Sequence, residues 1–152
     1  MIEPTNLFVK LRPTPGGEGS VADHELIAKQ NGTVWWGRWS SAAASRKSII
    51  EALADQINRG HQVSLFIRNS TINAEFRAQI IDIQPPEFRP PTHLVPAYRN
   101  EPHVDMWLEL TQFTRLPHGW IAQNCIYATG TLEADPVHYR GTQSLQYVAI
   151  RP

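Results

Sequence analysis

The chain is poor in cysteine, in lysine, in excess charge of either sign and in long apolar runs. A single cysteine, Cys125, among 152 residues excludes an internal disulfide and a cysteine-rich zinc site. Lysine plus arginine number 14 and aspartate plus glutamate number 14, so the formal net charge is zero. A neutral chain is poorly suited to gripping a long stretch of nucleic-acid backbone, but it leaves room for a small site that reads one base. Three of the cations are lysine and eleven are arginine, the side chain suited to planar, bidentate or stacked contacts. No apolar run approaches the roughly 18 residues that span a bilayer. Met1–Arg12 lacks the charged-then-apolar order of a signal peptide, and a soluble cytoplasmic protein with no membrane partner is expected.

Catalytic patterns are equally scarce. Six histidines (24, 61, 93, 103, 118 and 138) show no His-x-x-x-His spacing, so no metal site is expected. Gly16-Gly17-Glu18-Gly19 lacks the Lys-Ser/Thr of a phosphate loop. The segment around Cys125 matches no nucleophile motif, and a buried structural thiol is the simpler reading. Carboxylates are scattered without an obvious pair. The residues therefore point away from an enzyme, with no catalytic residues and no cofactor.

What is present fits one ordinary domain over residues 1–152. Hydrophobic residues make up 41% and charged residues 18%, which argues against global disorder. Asn6–Leu11 reads as a first strand, stopped by Pro13 and Pro15. Ala22–Gln30 fits a short helix with Leu26 and Ile27 as its apolar patch and Asn31-Gly32 as its close. Thr33–Trp39 is β-prone. Ser45–Asn58 is the strongest helix, because Ile49, Ile50, Leu53 and Ile57 share one face. His61–Arg68 alternates, Asn69–Asn73 reads as a turn and Ala74–Ile83 as a second strand, which predicts a hairpin. Six of the twelve prolines fall between Pro85 and Pro102, so 85–102 is a loop that can be neither helix nor central strand. Met106–Leu116 resumes as a strand, Trp120–Tyr127 is a short helix or strand, and Ser144–Ile150 is the last strand. The sum is an α+β chain with five or six strands and two or three helices, its sheet curved or closed against the helices.

Three of the five tryptophans lie in Val34-Trp35-Trp36-Gly37-Arg38-Trp39-Ser40. Neighbouring strand side chains point to opposite faces. Trp35 and Trp36 therefore do not both face the core, unless Gly37 marks a bulge. At least one ring is expected to be exposed or to line a cavity. Flat rings beside hydroxyl and amide groups suit a nucleobase or a methylated ammonium group; the plainer reading is one core tryptophan with the others covering a strand edge. The polar turn Arg68-Asn69-Ser70-Thr71-Ile72-Asn73 is a second candidate, although these are also ordinary turn residues.

The order of these features resembles the PUA-like superfamily, particularly its EVE and YTH branches. The similar stretches are Leu7-Phe8-Val9-Lys10, then Gly32-Thr33-Val34-Trp35 before a helix, then the hairpin of Val63–Ser70 with Phe76–Ile80. Trp107–Phe113 and Tyr147–Ile150 resemble the closing strands. The resemblance implies a partly closed β-barrel with packed helices and an aromatic cage that holds one modified, for instance methylated, base of DNA or RNA. It places Trp35, Trp36, Trp39, Ser40, Asn69, Ser70 and Trp107 at the cage. Lys10, Arg12, Arg38 and Arg68 would supply backbone contacts. The second wall would follow the hairpin, where this chain has Phe88 and Tyr98 and no tryptophan until Trp107. The resemblance also implies the specificity part of a restriction or defence system, with an effector nuclease or NTPase as partner. The alternative is a protein-interaction or small-ligand module that uses the tryptophan segment and the proline-rich loop.

Overall fold

Period-two alternation accounts for most of the architecture. The computed structural model describes residues 3–11, 20–38, 46–69, 73–96, 104, 106–128 and 145–152. Its strands are β1 (Asn6–Leu11), β2 (Val34–Arg38), β3 (Val63–Asn69), β4 (Ala74–Gln84), β5 (Met106–Leu116), β6 (Cys125–Tyr127) and β7 (Leu145–Ile150). Its helices are α1 (Ser20–Asn31), α2 (Arg46–Asn58) and the five-residue α3 (Trp120–Asn124), with a single 3-10 turn at Thr92–Leu94. The strands form one sheet in the order β2-β5-β4-β3-β1-β7-β6. β1 and β3 run parallel and the other neighbours run antiparallel. The sheet is open between β2 and β6 among the described residues, so the fold is α+β with a sheet that curves without closing.

The expected hairpin is present as β3 and β4, paired from Val63–Ile80 to Asn69–Ala74. Among the described residues the strands number seven rather than five or six. The additional strand is β6, and Trp120–Tyr127 proves to be a helical turn followed by a strand. Three residues are too few to display a period.

One sheet face carries the main core. Leu7, Val9, Leu65, Ile67, Val34, Trp36, Leu108 and Leu110 are buried there beneath α1 and α2. α2 contributes Ile49, Ile50 and Leu53, as its spacing predicts. α1 departs from expectation. Leu26 is 54% exposed, and the buried face is Val21, His24 and Ala28. A histidine stands where an apolar residue would complete the stripe, and this hides the face from a hydrophobicity reading. The opposite sheet face carries a smaller core of Phe8, Phe66, Ile121, Cys125 and Val148, covered by Trp120 of α3.

Buried amides fasten the elements. Gln56 of α2 accepts the Thr5 N–H at 2.8 Å and donates to the Thr5 carbonyl at 3.1 Å. Asn6 accepts the Ser64 N–H at 2.8 Å and donates to the Val148 carbonyl at 3.4 Å, tying β1 to both neighbours. Each such bond contributes about 1 kcal/mol net, and losing a buried partner costs more. Gly60, at φ +87°, ends α2 while the His61 N–H returns to the Gln56 carbonyl at 3.0 Å.

Candidate functional site

Trp35 and Trp36 point to opposite faces of β2, as strand geometry requires. Trp36 enters the main core, is 0% exposed, and stacks on His24 with ring centroids 4.0 Å apart and planes 15° apart. It is a core side chain, which corrects its assignment to a cage: α1 lies directly over that face. Trp35 is on the other face and is also nearly covered, at 5% exposure. Its ring meets Phe88, with centroids 4.6 Å apart and planes tilted by 40°. Neither ring is exposed, which corrects that half of the expectation. A helix covers one face and the proline-rich segment covers the other.

Phe88 is delivered by a tight turn directly after β4. Its N–H donates to the Pro85 carbonyl at 3.1 Å. The Arg89 Nη1 curls back to the carbonyls of Pro86, Glu87 and Phe88 at 3.1–3.2 Å. The turn is therefore self-supporting, and Phe88 is its aromatic contact with the sheet.

Gly37 does not mark a bulge, because the β2–β5 register runs unbroken from Val34–Leu110 to Arg38–Met106. It permits close approach instead. A Cβ at Gly37 would lie 3.0 Å from Cζ3 and 3.1 Å from Cη2 of Trp107, and 3.1 Å from Cγ2 of Val104. Trp107 thus lies across β2 on the face that carries Trp35. Its Nε1 is buried without a hydrogen-bond partner among the described residues.

The register builds two rows on this face. Trp35, Glu109 and Asp82 form one across β2, β5 and β4; Gly37, Trp107 and Gln84 form the next. Asp82 Oδ1 accepts the Ile83 N–H at 2.8 Å, and its Oδ2 accepts Gln84 Nε2 at 3.0 Å. The Gln84 amide is thereby oriented with Oε1 left as an acceptor. The group offers flat aromatic faces, an amide oxygen and two carboxylates. The amide oxygen can accept an N–H group, and the carboxylates repel phosphate.

The turn residues expected beside the tryptophans lie elsewhere. Asn69 is buried at the end of β3, paired with Leu11 and Ala74. It stands at the start of β4, whereas Gln84 and Trp107 stand at its end. β4 has 11 residues, which separates the two by roughly 30 Å of strand. Placing Asn69 at the cage is therefore corrected: Asn69 and Trp107 stand at opposite ends of β4. Trp39, Ser40, Ser70 and Arg12 lie outside the described residues. Arg38 closes β2 opposite Met106.

Lys10 and Arg68 are register partners at the hairpin end. Arg68 Nη2 donates to Asn73 Oδ1 at 2.7 Å, and its Nη1 lies 3.8 Å from Glu75 Oε2. Glu75 is fully buried. It accepts the N–H of Gly119 at 2.5 Å and that of Ile121 at 2.9 Å, fixing the turn into α3, with His118 Nδ1 at 4.0 Å. Cys125 is buried in the second-face core, and that burial pushes its thiol up to about 12. It is neutral and unreactive at physiological pH.

Sequence reasoning nominated Trp35 and Trp107 and mentioned Phe88. It passed over Gln84, Asp82, Glu109, Glu75 and His24. Only register unites the first three, and a lone polar residue in a strand carries no separate signal. Gly37 beside two tryptophans was the usable clue to a close approach. A depression of about 400 Å³ at the end of α2, lined by Ile57, Gly60, His61, Gln79 and Ile81, contains no tryptophan. Among the described residues, no group of three His, Cys, Asp or Glu could hold a metal, and no helix is long and apolar enough to cross a membrane.

A profile of the Pua-like family matches residues 7–144. The chain belongs to the Pua-like family. Pua-like domains are in general nucleic-acid-binding modules rather than catalysts. The open α+β sheet of this Pua-like chain agrees with that membership. Comparison with curated proteins and with solved structures gave no match.

Proposed function

We propose that this Pua-like chain captures a single modified base of DNA or RNA, in the manner of the EVE and YTH branches, on the aromatic group of the second sheet face. Trp35 is the stacking platform. Trp107 is the flanking wall, and Gln84, oriented by Asp82, accepts an N–H from the base edge. The observation that carries this reading is the convergence of Trp35, Trp107 and Gln84 from three strands onto one face.

With centroids 4.6 Å apart, Trp35 and Phe88 touch each other and leave no gap for a third ring. A base that stacks on Trp35 therefore displaces Phe88. One such aromatic contact is worth about 0.5–1.5 kcal/mol beyond its area, whereas stacking a base returns about 1–3 kcal/mol. Phe88 also gives up part of its buried area, worth up to about 1.5–3 kcal/mol for a whole side chain, so the two sides of the exchange are close to balance. A buried methyl group adds only about 0.8 kcal/mol, so preference for a methylated base is modest unless shape also penalises the unmodified one. Weak capture by a neutral chain suits a module tethered to an effector such as a nuclease or NTPase, where effective concentration supplies the rest.

The alternative, a protein-docking surface made from the tryptophan segment and the proline-rich loop, would use the same rings and would equally require Phe88 to leave Trp35. The test compares Trp35→Ala with Trp36→Phe in titrations of single-stranded oligonucleotides with and without methylated adenine or cytosine. Trp35→Ala should lose about tenfold or more in affinity, while Trp36→Phe should bind as wild type does. Equal binding by folded Trp35→Ala would remove the proposal.

A further inference from the structure

The face that carries Trp35 has a second polar group about 20 Å along β4 from Gln84. Arg77 occupies β4 opposite Phe66 on one side and Thr114 on the other. Its Nε donates to Ser64 Oγ at 2.9 Å. Its guanidinium carbon lies 5.3 Å from the centroid of the Phe66 ring, which is itself backed by Trp120 at 5.6 Å. Hydroxyl and ring together fix the plane of the guanidinium. Both Nη groups remain without a partner among the described residues. The carboxylate two residues away, Glu75, is engaged with Arg68 and with the backbone of Gly119 and Ile121.

We propose that Arg77 is a phosphate anchor for a strand of nucleic acid that runs along β4, its captured base at the Trp35 end. An arginine held in one plane with its Nη1–Nη2 edge left to donate matches a phosphodiester oxygen pair, and little of its side-chain freedom remains to be lost on binding. Charge is divided along the face in the sense this requires. Asp82 and Glu109 flank the aromatic end and repel phosphate; Lys10, Arg68 and Arg77 gather at the other end, where the one carboxylate on their rows, Glu75, is paired with Arg68. The ligand is therefore an oligonucleotide that reaches both ends, not a free nucleoside. Arg77 lies outside the four cations that the sequence nominated. The inference rests on the nucleic-acid reading above, but it concerns a different group of residues.

The test titrates a free methylated nucleoside and a short single-stranded oligonucleotide carrying the same base into the whole chain, for wild type, Arg77→Gln, Arg77→Lys and Ser64→Ala, over a range of salt. Thermal midpoints establish which variants fold. Arg77→Gln should weaken the oligonucleotide by about tenfold and lower the slope of log K against log salt by about 0.7. Nucleoside affinity should stay unchanged. Arg77→Lys and Ser64→Ala should lose a few-fold each with the slope nearly kept, and they carry the test should Arg77→Gln fail to fold. Oligonucleotide affinity and slope both unchanged in a folded Arg77→Gln would overturn the anchor while leaving base capture standing. Oligonucleotide binding that depends on Arg77, with no nucleoside binding at all, would support the anchor and overturn base capture.

Discussion

The two faces of the sheet treat neighbouring tryptophans differently. Trp36 and Trp35 have similar exposure, 0% and 5%, yet they are sealed by different means. Above Trp36 lies α1, whose Val21, His24 and Ala28 join a core that runs through all the central strands. Above Trp35 sits one phenyl ring on a self-contained turn. Burial alone does not distinguish a structural indole from a functional one. The distinguishing property is what lies against the ring: a helix with its share of the core in one case, the Phe88 ring of a surface turn in the other.

That contrast can be broken from its strongest side first. Trp36→Ala should cost about 3–5 kcal/mol, read as a lowered midpoint in urea unfolding; a loss below about 1 kcal/mol would mean that the α1 face is not the main core. Glu75→Ala at the hairpin end should cost about 3 kcal/mol, because it strands the Arg68 charge and two N–H groups. The same unfolding measurement checks it, and amide exchange should rise at Gly119 and Ile121. Gly37→Ala should cost about 1–3 kcal/mol and shift the Trp107 ring resonances, since the new Cβ would stand 3.0 Å from that ring. Trp107 resonances that stay in place would contradict the close approach.

The sequence made one kind of information legible and withheld another. β1 was readable because Pro13 and Pro15 follow its apolar run, β5 because Met106, Leu108 and Leu110 alternate, and α2 because its apolar spacing is complete. The buried face of α1 was misread because His24 interrupts it, and β6 was ambiguous because three residues show no period. The site divides along the same line. Trp35 and Trp107 could be nominated from residue type. The partition of Trp35 from Trp36 depends on which segment covers which face, and the grouping of Gln84, Asp82 and Glu109 depends on cross-strand register. The same holds for Arg77, which is defined by Ser64 and Phe66 on the neighbouring strand.

The central claim is that Phe88 holds the place of a base on Trp35. The most direct measurement is the affinity of Phe88→Ala for a methylated nucleoside, set beside wild type. Removing the ring relieves a contact worth about 0.5–1.5 kcal/mol, so the variant should bind about two- to tenfold tighter. Equal or weaker binding by the folded variant would contradict the account and make Phe88 a fixed part of the wall.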